Sequence, residues 1–159
     1  MKLYHGSNLV IKNPDISFSR KEVDFGRGFY TTPMKEQAIS WAKRFKKRQG
    51  QGVISTYEID ELKLSEEVSI LTFSDYTIEW LDFIMACRQG GSDNEGYDVV
   101  IGGVADDQVF NTIQLFIDGL IGKEESLKRL RYDKPNLQYC FCNQKVMDKY
   151  LTFASSEVI

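Results

Sequence analysis

The pattern of apolar and polar residues predicts strands and helices along the whole chain. Stretches rich in β-branched and aromatic residues predict strands at residues 2–6, 28–32, 53–60, 97–104, 137–142 and 151–153. Apolar residues at helical spacing predict helices at residues 33–49, 77–88, 107–120, 124–130 and 145–149. Residues 8–28 show no clear period and are expected to be irregular. This order of elements indicates an α+β protein.

The helix that follows Pro33 is the best defined, since proline suits a first helical position and Gly50 suits an end. One face of this helix is apolar and carries Ala38, Trp41, Ala42 and Phe45. The opposite face carries Lys43, Lys46 and Lys47. We therefore expect the apolar face to pack against the sheet.

Composition and charge set limits on the class of protein. The 159 residues are 42% hydrophobic and 27% charged, which predicts a single globular domain over residues 1–159. A net charge of −3 argues against a broad basic nucleic-acid surface but leaves room for a local basic patch. Met1 and Lys2 lead directly into the first strand, and no apolar run reaches membrane-spanning length. We therefore expect a cytoplasmic protein without a membrane partner.

The cysteines and the single histidine do not predict a metal site. Cys140 and Cys142 would share one face of a strand, and Cys87 lies on a predicted helix. A zinc site needs more ligands at closer spacing than these residues and His5 provide. We expect buried, reduced thiols and no metal.

Two glycines, Gly26 and Gly28, flank Arg27 just before the second predicted strand. This arrangement differs from the dinucleotide fingerprint, which follows a strand and opens a helix, and it differs from the phosphate-binding P-loop. We expect the glycines to bend the chain tightly into the strand that carries Tyr30, with Arg27 as a secondary phosphate contact.

Three other residues are candidates for binding a flat ligand. A lone histidine is more often structural than functional, but Gly6 follows His5 and leaves backbone groups accessible to a planar molecule. Tyr30 and Trp41, which lies 11 residues further on, can form opposite walls of a slot for a ring. Alternatively, Trp41 is a residue of the hydrophobic core and does not contact a ligand.

Together these segments resemble the ADP-ribosyltransferase superfamily. The resemblance lies in Leu3-Tyr4-His5-Gly6-Ser7, in Phe25-Gly26-Arg27-Gly28-Phe29-Tyr30 and in the aromatic residue that follows. It is closest to the His-Tyr-Glu branch, typified by poly(ADP-ribose) polymerases and diphtheria toxin. The chain is also similar to an uncharacterised bacterial family with an Asp-Phe-Gly-X-Gly-Phe-Tyr-X-Thr core. The resemblance implies a split, twisted mixed sheet with flanking helices, and NAD as co-substrate.

The resemblance also implies roles for individual residues. His5 would bond a ribose hydroxyl of NAD, the backbone of Gly6 would hold the nicotinamide carboxamide, and Ser7 would support that turn. Tyr30 would stack on the nicotinamide ring, with Trp41 as the second aromatic. Gly28 would also contact the ligand, and the cations Arg20, Lys21 and Arg27 would contact its pyrophosphate. The alternative for Arg20 and Lys21 is that they lie on a solvated surface.

The family's glutamate is replaced in this chain. The segment 136–141 matches the third motif of the family and places Gln138 at the glutamate position. Glutamine keeps a hydrogen bond to the ribose but has no charge and cannot act as a base. The serine that the polymerases carry on the first helix is Ala38 here. Asp106 and Asp107 are candidates for an extra acid or base, with helix capping as the alternative.

These features predict an enzyme that transfers one ADP-ribose unit from NAD to an acceptor that the sequence does not identify: a protein, a nucleic acid or a small molecule. A polymer is not expected, because Gln138 cannot activate a second hydroxyl. The alternative is a catalytically weak or inactive module that binds NAD or ADP-ribose and acts through a protein partner. One setting for the enzyme is the toxin of a toxin–antitoxin pair, with a small neutralising antitoxin as partner.

Overall fold

The computed structural model describes residues 1–105, 107–130 and 136–159 and has a mixed α+β fold. The strands are β1 (Lys2–Ser7), β2 (Phe29–Thr31), β3 (Val53–Glu58), β4 (Ile70–Thr72), β5 (Val99–Gly102), β6 (Gln138–Phe141) and β7 (Thr152–Val158). The helices are α1 (Lys35–Gln49), α2 (Glu61–Glu67), α3 (Ile78–Arg88), α4 (Asp107–Ile117), α5 (Lys123–Leu130) and α6 (Gln144–Tyr150). A short 3-10 turn lies at Ile16–Phe18.

The strands of the described residues form two sheets. The first has the order β1-β3-β7 and is antiparallel throughout. The second has the order β2-β6-β5-β4, in which only the β4–β5 pair is parallel. A single bridge between Tyr4 and Thr32 connects the sheets through β1 and β2. The first strand of the chain therefore lies where one sheet passes into the other.

Every strand and helix expected from the sequence pattern has a counterpart, but α2 and β4 were not predicted and β7 is longer than expected. The side chain of Asp60 caps α2 by accepting from the N–H group of Lys63. β4 has three residues, too few for a readable alternation. The prediction that the last strand ends at residue 153 was wrong. β7 pairs with β3 as far as Val158, although its residues after Phe153 are exposed and mostly small or polar.

The buried side chains form three clusters within the described residues. One cluster joins β5 and β6 to α3, α4 and α5, and its largest members include Trp80, Leu81, Ile84, Ile113 and Leu130. A second cluster joins the opposite face of the four-stranded sheet to β1, β3 and α6 and includes Leu3, Phe29, Tyr57, Phe141 and Met147. A third, smaller cluster joins α1 to β3 through Ala38, Ala42 and Ile54.

Helix α1 packs closely on β1 because Gly6 has no side chain. A Cβ atom at Gly6 would lie 2.2 Å from the carbonyl oxygen of Ala38 and 2.8 Å from the backbone nitrogen of Ala42. The helix ends at Gly50, which adopts the left-handed conformation with a φ of 82°. These contacts fix the helix above the junction of the two sheets.

Candidate functional site

The two sheets separate immediately after the bridge between Tyr4 and Thr32. These residues exchange two hydrogen bonds, with N···O distances of 2.8 and 2.9 Å. An uninterrupted antiparallel ladder would pair Gly6 with Tyr30 next. That pair does not form, and Nδ1 of His5 instead lies 2.7 Å from the carbonyl oxygen of Tyr30. A side chain therefore takes the place of a ladder bond at this point.

The backbone of Gly6 faces the opening between the sheets. Tyr4 directs both its N–H and its C=O toward Thr32, and backbone groups two residues apart in a strand point to the same side. Gly6 and Ile54 of β3 therefore form a non-hydrogen-bonded pair of the antiparallel ladder, and the N–H and C=O groups of Gly6 point away from β3. Within the described part of the chain, no partner for the N–H or C=O group of Gly6 is found outside the ladder. A donor and an acceptor therefore lie side by side at the opening.

His5 is held as a neutral ring. The carbonyl oxygen of Tyr30 can only accept, so Nδ1 carries the proton and Nε2 is left as an acceptor. Burial lowers the pKa of His5, and the hydrogen bond to Tyr30 offsets only part of this effect. The ring also packs on Phe29, with the ring centroids 4.5 Å apart. His5 can thus accept a hydrogen bond from a hydroxyl group near neutral pH.

Tyr30 is tied to the turn that precedes its strand. Its hydroxyl donates to the carbonyl oxygen of Gly26 at 2.6 Å and accepts from the N–H group of Phe25 at 2.9 Å. Its ring packs against the cluster that includes Phe25 and Cys140. Burial raises the pKa of Tyr30 well above its ordinary value, so the hydroxyl stays protonated.

The two glycines of the turn are required for different reasons. Gly26 has a φ of 74°, in the left-handed region that other residues rarely adopt. Gly28 lies so close to β6 that a Cβ atom there would be 2.3 Å from Sγ of Cys140. The glycines therefore bend the turn, as the sequence predicted, and Gly28 also seats it on β6, which was not predicted.

Gln138 lies in a buried polar cluster instead of an open site. Its Nε2 donates to Oδ2 of Asp24 at 3.0 Å and to the carbonyl oxygen of Gly103 at 3.3 Å. Arg88 contacts the other carboxylate oxygen of Asp24 through Nε at 3.0 Å and Nη2 at 2.5 Å. The N–H group of Ala105 completes the shell of Asp24 at 2.8 Å. The amide of Gln138 is thus held in one orientation by an ion pair.

This orientation leaves Oε1 of Gln138 as an acceptor, for which the described residues offer no hydrogen-bond donor. Gln138 and Cys140 share one face of β6, and Cys140 lies opposite Tyr30 in the register. Gln138 and Tyr30 therefore lie on the same face of the four-stranded sheet.

The other residues expected near Gly6 lie close to it. The Ser7 hydroxyl donates to the carbonyl oxygen of Leu9 at 2.7 Å and accepts from the N–H group of Leu9 at 3.3 Å, which closes the turn after β1. Cβ of Trp41 lies 3.0 Å from the position of a Cβ atom built on Gly6. The Trp41 side chain is half-buried, so α1 presents it beside the strand and not deep in the core.

The cations expected at a pyrophosphate are only partly brought together. Lys21 and Arg27 line a cavity of about 660 Å³, whereas Arg20 is exposed and does not line it. His5, Tyr30 and Gln138 are not among the lining residues of this cavity. Asp106 lies outside the described residues, and so does the side chain of Asp107.

Sequence reasoning missed Asp24 and Arg88. The only signal for Asp24 is its position directly before Phe25 and Gly26, where an acid interrupts a segment that becomes buried. Arg88 is the last residue of α3, and nothing in its spacing links it to Asp24, 64 residues earlier. The contact between Asp24 and Arg88 depends on how α3 packs against the turn at Gly26, and the sequence does not show this packing.

Among the described residues, none of the helices is long and apolar enough to cross a membrane. No group of three or more histidine, cysteine or acidic side chains in the same residues could hold a metal ion.

A protein-family model described as "Protein of unknown function (DUF3990)" matches residues 1–153. Comparison with curated proteins and with solved structures gives no match.

Proposed function

The chain belongs to the DUF3990 family, and we propose that it is an NAD-dependent mono-ADP-ribosyltransferase with an ADP-ribosyltransferase-like core. The observation that carries the proposal is the opening between β1 and β2, where the backbone of Gly6 faces away from its own sheet beside His5 and Tyr30. A primary carboxamide carries one acceptor and two N–H donors, and an adjacent N–H and C=O on one residue match it. Gly6 would therefore hold the nicotinamide carboxamide.

The aromatic residues would hold the ring and the histidine the ribose. Trp41 on α1 and Tyr30 on β2 flank the position of Gly6, and both offer apolar surface to a flat ring. Nε2 of His5, which has no proton, would accept from a ribose hydroxyl. Lys21 and Arg27 are the cations nearest in sequence to the turn and would attract the pyrophosphate.

Gln138 would act on the ribose of the nicotinamide nucleotide. Its Oε1 would accept from the 2′-hydroxyl, and the ion pair of Asp24 and Arg88 behind the amide would hold it in that orientation. The bond between the ribose C1′ and the nicotinamide nitrogen breaks, an acceptor atom bonds to C1′, and the acceptor proton passes to solvent. Because Gln138 is not a base, the acceptor must already be nucleophilic.

The first test is nicotinamide release from labelled NAD in the presence of cell extract, together with calorimetric titration of NAD. The wild-type protein is expected to bind NAD and to release nicotinamide. Trp41→Ala should weaken binding, whereas Phe45→Ala, one turn along the same half-buried face of α1, should not. Failure of the wild-type protein to bind NAD would refute the proposal.

A second candidate function is supported by the fixed amide of Gln138. Gln138 is a neutral amide whose Nε2 is bound by Asp24 and Gly103 in the interior, so its side chain brings no charge to the site and cannot act as a base. A protein of this kind would bind NAD or ADP-ribose and act through a protein partner. Binding of NAD without nicotinamide release would favour this function over transfer.

The biological setting that we propose is a toxin neutralised by a small antitoxin, and the acceptor is a protein or a nucleic acid. Expression of the chain alone should then arrest growth, and co-expression of a small neighbouring gene should relieve the arrest. Unimpaired growth with wild-type protein that is active in vitro would exclude this setting but not the enzyme.

A further inference from the structure

Cys140 in β6 and Cys142, one residue beyond the end of the strand, form a close pair at the edge of a cavity. Sγ of Cys140 lies 3.7 Å from Sγ of Cys142. Cys140 is fully buried, whereas Cys142 is half-buried and lines the cavity of about 660 Å³. One thiol is therefore accessible to a small solute, and the second lies directly behind it.

Polar groups surround the accessible thiol. Nδ2 of Asn94 donates to Sγ of Cys142 at 3.7 Å and to the carbonyl oxygen of Arg27 at 3.1 Å. Lys21 and Arg27 line the same cavity. Asp98 also lines it, but its two carboxylate oxygens accept from Asn143 Nδ2 at 2.8 Å and from the N–H group of Ser69 at 2.9 Å. The hydrogen bond from Asn94 and the two cations favour negative charge on the sulfur, whereas the carboxylate of Asp98 opposes it.

The two thiols differ in their readiness to ionise. The hydrogen bond from Cys140 and, to a smaller extent, the one from Asn94 lower the pKa of Cys142. Burial raises the pKa of Cys140 well above its ordinary value. Cys142 is therefore the thiol of the pair that ionises more readily.

We propose that Cys142 is an oxidant-reactive thiol and that Cys140 resolves it to an intrachain disulfide. The oxidant is a small hydroperoxide that enters the cavity. The sulfur of Cys142 attacks one peroxide oxygen, the O–O bond breaks, and a sulfenic acid forms while the leaving oxygen takes up a proton. The sulfur of Cys140 then attacks that of Cys142, the S–O bond breaks, and the hydroxide leaves as water with the proton of Cys140.

The geometry requires only a small movement for the second step. A disulfide has an S–S distance of about 2.05 Å, so the two sulfur atoms must approach by roughly 1.7 Å from their present separation. Cys142 lies one residue beyond β6, and its side chain faces the same side as that of Cys140. Rotation of the two side chains together with a small shift at the end of the strand would supply the approach.

Cys87, the third cysteine of the chain, provides a reference for the reactivity of Cys142. It is buried on α3, and burial raises its pKa to about 12. Each unit of pKa difference changes the thiolate fraction about tenfold, so Cys142 should react with iodoacetamide more than about tenfold faster than Cys87. Equal rates for the two cysteines would overturn the assignment of Cys142 as the reactive thiol.

Peptide mapping of the full-length protein tests the pair directly. Cleavage by trypsin after Arg131 and Lys145 leaves Cys140 and Cys142 on one peptide, without Cys87. After brief treatment with hydrogen peroxide, this peptide should lose two hydrogens and resist alkylation until a reductant is added. The proposal is overturned if both cysteines remain open to alkylation, or if the disulfide joins Cys87 or a second chain.

Single variants separate the two roles. Cys140→Ser should leave a sulfenic acid on Cys142 that dimedone traps, and Cys142→Ser should abolish oxidation of the peptide. Cys87→Ser, the matched control, should form the disulfide at the wild-type rate. Peroxide oxidation of Cys140 in the Cys142→Ser variant at the wild-type rate would overturn the order of the two steps.

Discussion

The carbonyl oxygen of Tyr30 lies 2.7 Å from Nδ1 of His5, where an uninterrupted ladder would place the N–H group of Gly6. The histidine thus ends the pairing of β1 with β2 after a single bridge and leaves the backbone of Gly6 facing the opening. The same residue that breaks the ladder presents Nε2 as an acceptor. One side chain therefore contributes both to the shape of the site and to its chemistry.

The neutral state of His5 makes the protein sensitive to acid. Because burial lowers its pKa in the folded state, the unfolded chain binds the additional proton first as pH falls. The contribution of His5 is fully present above its unfolded pKa of about 6.5 and is lost as pH falls below it. His5→Asn keeps a donor for Tyr30 but does not titrate, so its urea midpoint should fall less than that of wild type between about pH 7 and pH 5. Parallel pH profiles of the two proteins would contradict this role.

The ion pair of Asp24 and Arg88 should behave as a coupled unit. Removing one partner of a buried pair leaves an uncompensated charge and typically costs about 3–5 kcal/mol, so Asp24→Ala and Arg88→Met should each destabilise the fold strongly. The double variant should cost less than the sum of the two. Urea unfolding gives the coupling free energy, and the exposed pair of Arg129 and Glu125 serves as the control with little coupling. Additive losses at Asp24 and Arg88 would contradict the coupling.

Introducing at position 138 the glutamate that ADP-ribosyltransferases carry is expected to destabilise this protein. Gln138→Glu would place a second carboxylate about 3 Å from Asp24, and like charges raise the pKa of one of the pair. A raised folded pKa means that the folded variant binds the extra proton, so its stability should be greatest in mild acid and decline as pH rises. Adding Asp24→Asn to the same chain should reverse the pH dependence, because the asparagine amide can donate to the introduced carboxylate. Thermal melting across pH gives both comparisons, and a Gln138→Glu variant as stable as wild type at neutral pH would contradict the contact.

Gly28 should tolerate no side chain. Gly28→Ala would bring a Cβ atom to 2.3 Å from Sγ of Cys140 and to 2.8 Å from the carbonyl oxygen of Phe141, and the backbone oxygen has little freedom to move. We expect a loss of about 1–3 kcal/mol, the usual range for overpacking. Gly122→Ala is the matched control, since no atom lies within 4 Å of its added Cβ. Equal melting temperatures for the two variants would show that the turn does not seat on β6.

The elements of the fold could be predicted where local pattern and final environment agree. The helix after Pro33 has an apolar face and a glycine end, and both are found in α1. β7 could not be predicted in full, because its Ala-Ser-Ser-Glu segment becomes a strand through pairing with β3 and not through its own pattern. β4 is similar, since a three-residue strand depends on its neighbour β5.

The candidate site could be predicted in its sequence-local parts only. Neighbours along the chain, such as His5 and Gly6 or Gly28 and Tyr30, lie at or beside the junction of the two sheets, and their roles stay predictions. The partners of Gln138 could not be read from sequence, because Asp24 lies 114 residues earlier and Arg88 arrives on a different helix. The amide at position 138 indicated a missing charge, and the structure places an ion pair of Asp24 and Arg88 directly behind it.

The measurement that tests the central claim most directly follows the backbone amide resonances of the isotope-labelled protein while nicotinamide is added. If the backbone of Gly6 binds the carboxamide, its amide resonance should shift more than any other glycine resonance, together with those of its neighbours Ser7 and Tyr30. Gly119 and Gly122, where an added Cβ would meet no atom within 4 Å, should stay unchanged. A Gly6 resonance that does not move while nicotinamide or NAD binds elsewhere would contradict the account.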